Sequence, residues 1–281
     1  MKSGTVFHKM TGSGNDFVAL DGRNVRIEDV TGDMVRSLCD RRRGAGADGL
    51  MLLQPGSAPG VHFVFHFWNS DGSPGPMCGN GALCATRLAT VLGLAPADGE
   101  VRFATPAGIH SGRVLQEHQS EIQLPDCVLP AACPELLTVP GESSPLVSSP
   151  SVPHVVVLVD DVTRVDVPVR GPLLRHDRAL GPDGANADWV SPGPNGSWRM
   201  RTWERGVEGE TLACGTGAVA SALSLGVLGR AASPVRITTA SGLPLDVSWQ
   251  RSGSLATSIR LRGEGRVVFR GILVGLPTLR E

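Results

Sequence analysis

The chain has 281 residues, of which 41% are hydrophobic and 19% charged, with a formal net charge of -1. That length is enough for two ordinary domains with packed cores, and the balanced charge argues against a broad nucleic-acid-binding face. Tyrosine is absent and aromatic residues total 4%, which leaves little material for a base-stacking surface.

The N-terminal stretch MKSGTVFHKMTGSG lacks the apolar core of a secretory signal. No segment approaches the roughly 20 apolar residues of a membrane span. The expectation is a cytoplasmic protein with no membrane partner and reduced cysteines (Cys39, Cys78, Cys84, Cys127, Cys133 and Cys214). No Cys-x-x-Cys occurs and no His lies at ligand spacing from a Cys pair, so no metal site is expected.

Taken in order, DFVALD (Asp16–Asp21) and GAGADGLML (Gly44–Leu52) come first. VHFVFHFWN (Val61–Asn69) alternates and is rich in Val and Phe, which predicts a strand. CGNGALCATRLATVLG (Cys78–Gly93) then opens on glycines and runs into a helix, and VRFATPAGI (Val101–Ile109) follows. After the Ser/Pro-rich loop Val139–Pro153 the series recurs. HVVVLVDD (His154–Asp161) is a continuous apolar run, a buried strand. GANADWVSP (Gly184–Pro192) echoes Gly44–Leu52, CGTGAVASALSLGVLG (Cys214–Gly229) matches the first helix start, and VRITTASGL (Val235–Leu243) matches Val101–Ile109. Four segments in the same order predict a duplicated domain. The helix after Cys214 carries no charge on any face, so it is buried all round. The expected fold is α+β: two pseudo-symmetric domains, each a β-sheet or barrel wrapped around a central buried helix. Residues 1–125 make the first, and 126–265 the second. The last strand, GRVVFRGILV, returns to the first domain, which therefore also takes 266–281.

Cys78 and Cys214 are the two cysteines matched across the repeat, and both precede a glycine-rich helix start. Such a start offers first-turn N–H groups and partial positive charge to an anion, and glycine permits close approach. The same field lowers the pKa of a thiol placed there. The other four cysteines read as core or incidental. Two opposed acid/base groups acting on one carbon next to a carboxylate are what a racemase or epimerase needs. Amides aimed at the carboxylate stabilise the developing carbanion. No glycine-rich cradle for pyridoxal phosphate is evident, so no cofactor is expected, and the partner is a small amino acid.

GSGNDFV, MCGNG and WERGVEGETLACGTGA resemble the diaminopimelate epimerase family, from about residue 5 to about residue 270. The related proline racemases carry His where this chain has Asn80. The resemblance implies a cofactor-independent homodimer that converts LL-2,6-diaminopimelate to meso-diaminopimelate in lysine and peptidoglycan precursor synthesis. It makes Cys78 and Cys214 the two acid/base thiols, with Gly79, Asn80, Gly215 and Thr216 holding the reacting carboxylate. Asn15, Asn69, Asn186, Glu204 and Arg205 would bind substrate. His154, and Glu204 again, would tune thiol ionisation. Arg205 can grip a distal carboxylate with two prongs.

Two positions depart from the family. Val152 stands where Asn is common, and Gly49 where Gln is frequent. Both replacements remove polar groups, so a racemase of another amino acid, such as histidine, stays open, as does a non-catalytic binding protein.

Overall fold

The computed structural model describes residues 3–275. Residues up to Ile122, with those from Arg262 onward, form one compact unit, and Gln123–Leu261 form a second. The sequence puts these joints at 125/126 and 265/266, a few residues further on. Among the described residues, no helix is long and apolar enough to cross a membrane.

In the first unit, β1 (Val6–Gly12) and β2 (Asn15–Asp21) are antiparallel. Their turn needs Gly14, whose φ of 111° is one that side-chain-bearing residues rarely adopt. A crossover through helix α1 (Gly32–Cys39) brings β3 (Gly49–Pro55) parallel to β2. β4 (Phe63–Asn69) returns antiparallel to β3, and the short β5 (Pro74–Gly75) pairs back onto β4. Helix α2 (Gly79–Val91) crosses over to β6 (Val101–Thr105), which lies parallel to β4. β7 (Gly108–Gln116) turns antiparallel to β6, and β8 (Gln119–Gln123) leads out of the unit.

The second unit repeats this pattern. After the brief β9 (Cys127–Val128) and β10 (Ala131–Ala132), β11 (Ser143–Ser148) and β12 (His154–Leu158) are antiparallel. Helix α3 (Val167–Arg175) crosses to β13 (Asn186–Pro192), parallel to β12. β14 (Trp198–Glu204) is antiparallel to β13, and β15 (Gly209–Thr211) folds onto β14. Helix α4 (Gly215–Val227) crosses to β16 (Val235–Thr238), parallel to β14 and antiparallel to β17 (Pro244–Ser252). β18 (Leu255–Glu264) then carries the chain back, and β19 (Arg266–Ile272) completes the first unit's sheet beside β1.

The parallel pairs β2–β3 and β12–β13 are buried on both faces, which explains their unbroken apolar runs. Val18, Leu20, Leu50 and Leu52 pack with Met34, Val35 and Leu38 of α1. In the second unit Val155 and Val157 pack with Val167, Leu174 and Trp189 on the α3 side. Against the opposite faces lie α2, touching β1, β3, β4, β7 and β19, and α4, touching β11 to β14, β16 and β17. The expected architecture of sheets wrapped around a central helix is therefore present in each half. Each fully buried Leu, Val or Phe contributes roughly 1.5–3 kcal/mol, and the outer helices α1 and α3 double the number of strand positions that can do so.

The two central helices match in detail. Each has 13 residues and each ends on a left-handed glycine, Gly93 (φ 69°) or Gly229 (φ 65°). The next residue's N–H closes back on the helix: Leu94 donates to Ala89 at 2.8 Å and Arg230 to Leu225 at 2.9 Å. This satisfies the terminal carbonyls with the same cap twice.

Candidate active site

Both repeat-matched cysteines are helix N-caps. Cys78 has φ -127° and ψ 120°, and Cys214 has φ -126° and ψ 111°. Each Sγ accepts an N–H three residues on, from Gly81 or Gly217, at 3.4 Å. The first turn of a helix has no intrahelical acceptors for its N–H groups. At these two starts those groups belong to Gly79 and Asn80, and to Gly215 and Thr216. The second glycine keeps the turn tight against sulfur. A Cβ on Gly81 would lie 3.4 Å from Cys78 Sγ, and one on Gly217 would lie 3.3 Å from Cys214 Sγ and 2.6 Å from Asp188 Oδ1.

Behind each start stands a hydrogen-bonded series built on one frame. In the first unit, Asn80 Nδ2 donates to Asn15 Oδ1 at 2.6 Å, and Asn15 Nδ2 donates to Asp48 Oδ2 at 3.1 Å. The Asn80 side chain is thus tied to Asn15, in addition to whatever its backbone amide holds. Asp48 also accepts from Arg41 at 2.6 Å, and Arg41 reaches Asp16 at 2.7 Å. Burial opposes ionisation of Asp16, but hydrogen bonds from Arg41 and Lys9, with their charges, hold its carboxyl down at about 2.

In the second unit the corresponding series is Thr216, His154 and Asp188, with His154 one residue before the strand position that Asn15 holds. Thr216 Oγ1 lies 2.9 Å from His154 Nε2, and His154 Nδ1 lies 2.7 Å from Asp188 Oδ2. Thr202, opposite Asp188 across β13 and β14, donates to Asp188 Oδ1 at 2.6 Å. His154 and Asp188 are almost wholly buried, at 1% and 0% exposure. Asn186 joins them: its Nδ2 lies 3.3 Å from His154 Nε2 and donates to the Pro153 carbonyl at 3.1 Å. Its Oδ1 accepts the Arg205 backbone N–H at 2.7 Å. Thr216 Oγ1 lies 3.6 Å from Cys214 Sγ, so His154 reaches this thiol through a hydroxyl and not directly.

The expected lowering of thiol pKa by the helix start does not hold for Cys214. Burial, then the Glu204 and Asp188 carboxylates, push this thiol well up, against its hydrogen bonding with Thr216 and with the Gly217 N–H. Burial likewise raises the Glu204 carboxyl, against a 2.6 Å hydrogen bond from Thr211. Cys39, Cys84 and Cys133 are buried as packing. Cys84 is fully buried with its thiol pushed up by burial, and burial takes Cys39 to about 12.

Other sequence-nominated groups are placed less decisively. Asn69 closes the Asn-Ser-Asp-Gly turn: its N–H donates to the Ser73 carbonyl at 2.9 Å and its Nδ2 to Ser73 Oγ at 3.1 Å. Gly49 is dictated by packing, since a Cβ there would lie 2.6 Å from the Trp68 carbonyl and 2.7 Å from the Phe67 ring. Asp48, Asp188, Thr202 and Thr211 were not singled out by sequence. The two aspartates had a signal: both end the matched Gly-Ala-x-Ala-Asp. Among the described residues, no group of His, Cys, Asp and Glu is placed to hold a metal ion.

A family model described as diaminopimelate epimerase matches residues 7–124 and 147–265. The chain belongs to the diaminopimelate epimerase family. It is 44% identical over 278 residues to the diaminopimelate epimerase of Gemmatimonas aurantiaca, covering 96% of this chain and 99% of that one. It is 38% identical over 279 residues to that of Aquifex aeolicus, covering 95% and 97%. Among solved structures it is similar to a hydroxyproline epimerase from Agrobacterium vitis, with a TM-score of 0.69 at 16% identity, covering 97% of this chain and 91% of that one. It is also similar to a Bacillus anthracis phenazine biosynthesis protein, with a TM-score of 0.70 at 14% identity, covering 97% and 99%. At those identities the likeness concerns the fold alone. Diaminopimelate epimerase family membership makes this chain an isomerase.

Proposed function

We propose that this chain epimerises LL-2,6-diaminopimelate to the meso isomer without a cofactor, using Cys78 and Cys214 as the two acid/base groups. The carrying observation is the pair of N-cap thiols, alike in backbone angles and in the N–H that each Sγ accepts. One thiolate removes the α-proton while the other thiol returns a proton to the opposite face. The first-turn amides of α2 and α4 receive the α-carboxylate and stabilise charge that develops on it. Arg205, with its backbone set by Asn186, takes the distal carboxylate, and Glu204 faces the ammonium group. Asn15 and Asn69 complete the polar lining. The family relationship supports lysine-pathway chemistry, a homodimer and a cytoplasmic location.

The test is incubation with LL-diaminopimelate in deuterated water. The expected result is meso product with deuterium at the inverted carbon. Absence of both, from folded and reduced protein, would overturn the assignment. Cys78→Ala and Cys214→Ala should each reduce turnover by at least about a thousandfold, as loss of an essential acid/base group does.

A further inference from the structure

The hydrogen-bond directions around His154 can be read from Asn186. Its Nδ2 faces the Pro153 carbonyl and its Oδ1 faces the Arg205 N–H. Exchanging its two ends would set oxygen against oxygen and N–H against N–H, so the orientation is fixed. The same Nδ2 therefore presents hydrogen to His154 Nε2 at 3.3 Å. Nε2 is an acceptor, and the imidazole is neutral with its proton on Nδ1, donated to Asp188 Oδ2. Thr216 must then donate its hydroxyl proton to Nε2. Its lone pairs are left for the Cys214 S–H at 3.6 Å. The bonds of Thr216, His154 and Asp188 thus each have one direction, and the Cys214 S–H has two acceptors in reach, the Thr216 hydroxyl and the Glu204 carboxyl.

We infer that the Thr216 hydroxyl is a proton relay between Cys214 and His154, with Asp188 as the positioning residue that fixes the imidazole tautomer, and that Cys214 rests as the thiol. This rests on reading Cys214 as one of the two acid/base groups. The step balances without a co-reactant. The S–H proton passes to Thr216 Oγ1 as the hydroxyl proton passes to His154 Nε2. The products are a Cys214 thiolate, an unchanged hydroxyl and an imidazolium held by the Asp188 carboxylate. Asn186 then opposes Nε2–H with its own N–H, so the proton is returned. Cys214 is thereby the proton donor in the resting enzyme and is recharged from inside the domain.

The first unit has the same frame without the relay. Asn80 and Asn15 make the corresponding bonds toward Asp48, and an amide chain cannot pass a proton in this way. Around Cys214 and His154 the charged side chains that face the series are Asp188 from β13 and Glu204 from β14. α4 contributes Thr216, and β11 contributes the uncharged Ser148 opposite His154.

The test follows alkylation of Cys214 by iodoacetamide in the full chain, read by peptide mass spectrometry from about pH 5 to about pH 10, which spans the ordinary imidazole and thiol ranges. Thiol–imidazole and thiolate–imidazolium hold the same number of protons. A relay therefore gives a pH-independent plateau of reactivity between those ranges. Thr216→Val should abolish the plateau, lowering the rate near neutrality by about tenfold or more and leaving the rate to climb with pH as for an isolated thiol. Thr216→Ser should restore the plateau, and Asp188→Asn should lower it. If Asp188→Asn does not fold, the two Thr216 variants decide alone. A plateau unchanged in Thr216→Val, or absent from the wild-type chain, overturns the relay. No substrate is present, so this result is separate from turnover. A plateau without diaminopimelate turnover sinks the proposed function and leaves the relay standing.

Discussion

The side-chain oxygen of Asn186 accepts the backbone N–H of Arg205 at 2.7 Å. The first residue of β13 thus holds in place the residue just beyond the end of β14. Asn186→Ala removes that acceptor, and a lost buried hydrogen bond costs about 1–3 kcal/mol. With Arg205 misplaced, KM for diaminopimelate should rise by about tenfold or more, and kcat should fall less. Steady-state kinetics beside a circular dichroism spectrum measure it. An unchanged KM would show that Arg205 does not need this tether.

Gly81 and Gly217 hold the same place in the two helix starts but differ in what lies beyond them. A Cβ at position 81 would meet Cys78 and Phe65 at 3.3 Å, while one at 217 would meet Asp188 Oδ1 at 2.6 Å. Gly217→Ala should therefore cost about 1–3 kcal/mol more stability than Gly81→Ala, because it breaks a buried polar network. Urea denaturation of the two variants compares them, and equal losses would refute the difference.

Glu204 carries a carboxyl raised above the ordinary glutamate range, chiefly by burial. The native state therefore keeps a proton that the unfolded chain releases at lower pH. Its contribution to stability is fully present below the unfolded value and is lost as pH rises through the higher native one. Glu204→Gln should remove this decline, so the variant gains on the wild type as pH increases toward neutrality while losing activity. Chemical denaturation midpoints for both proteins would stay a constant distance apart over that range if the reading is wrong.

Asp16 has the opposite sign. Its carboxyl falls from 3.8 to about 2, so the stability it supplies is present above the unfolded value and is lost as pH falls to about 2. A shift of that size corresponds to about 2 kcal/mol. Asp16→Asn should lose about that much at neutral pH and little at the acid end, measured by denaturant titration. Equal destabilisation at both ends would place the effect in packing instead.

The repeated Cys-Gly-x-Gly and the apolar runs made the central helices and buried strands legible, because both are local patterns. What they could not show is contact across strands. Asp188 meets Thr202 only because β13 and β14 pair in one register, and His154 meets Thr216 only when α4 lies against β12. The behaviour of the Cys214 thiol was hidden for the same reason. The helix start that lowers a thiol pKa is written in adjacent residues, whereas the burial and carboxylates that raise it come from elsewhere. Gly49 looked like a lost polar contact, yet the Trp68 carbonyl and Phe67 ring leave no room there for a side chain.

Strand β19 pairs with β1, joining Val6 to Ile272 and Thr11 to Arg266, while the second unit is one unbroken stretch, Gln123–Leu261. Synthesis runs from the N-terminus, and domains fold as units while the chain emerges. The half that contains Cys78 is therefore begun first and finished last. Its sheet lacks an edge partner for β1 until the whole of the other half has left the ribosome. The Cys214 half needs no later residue, so it can be complete and already holding its buried histidine while its twin still waits for a strand.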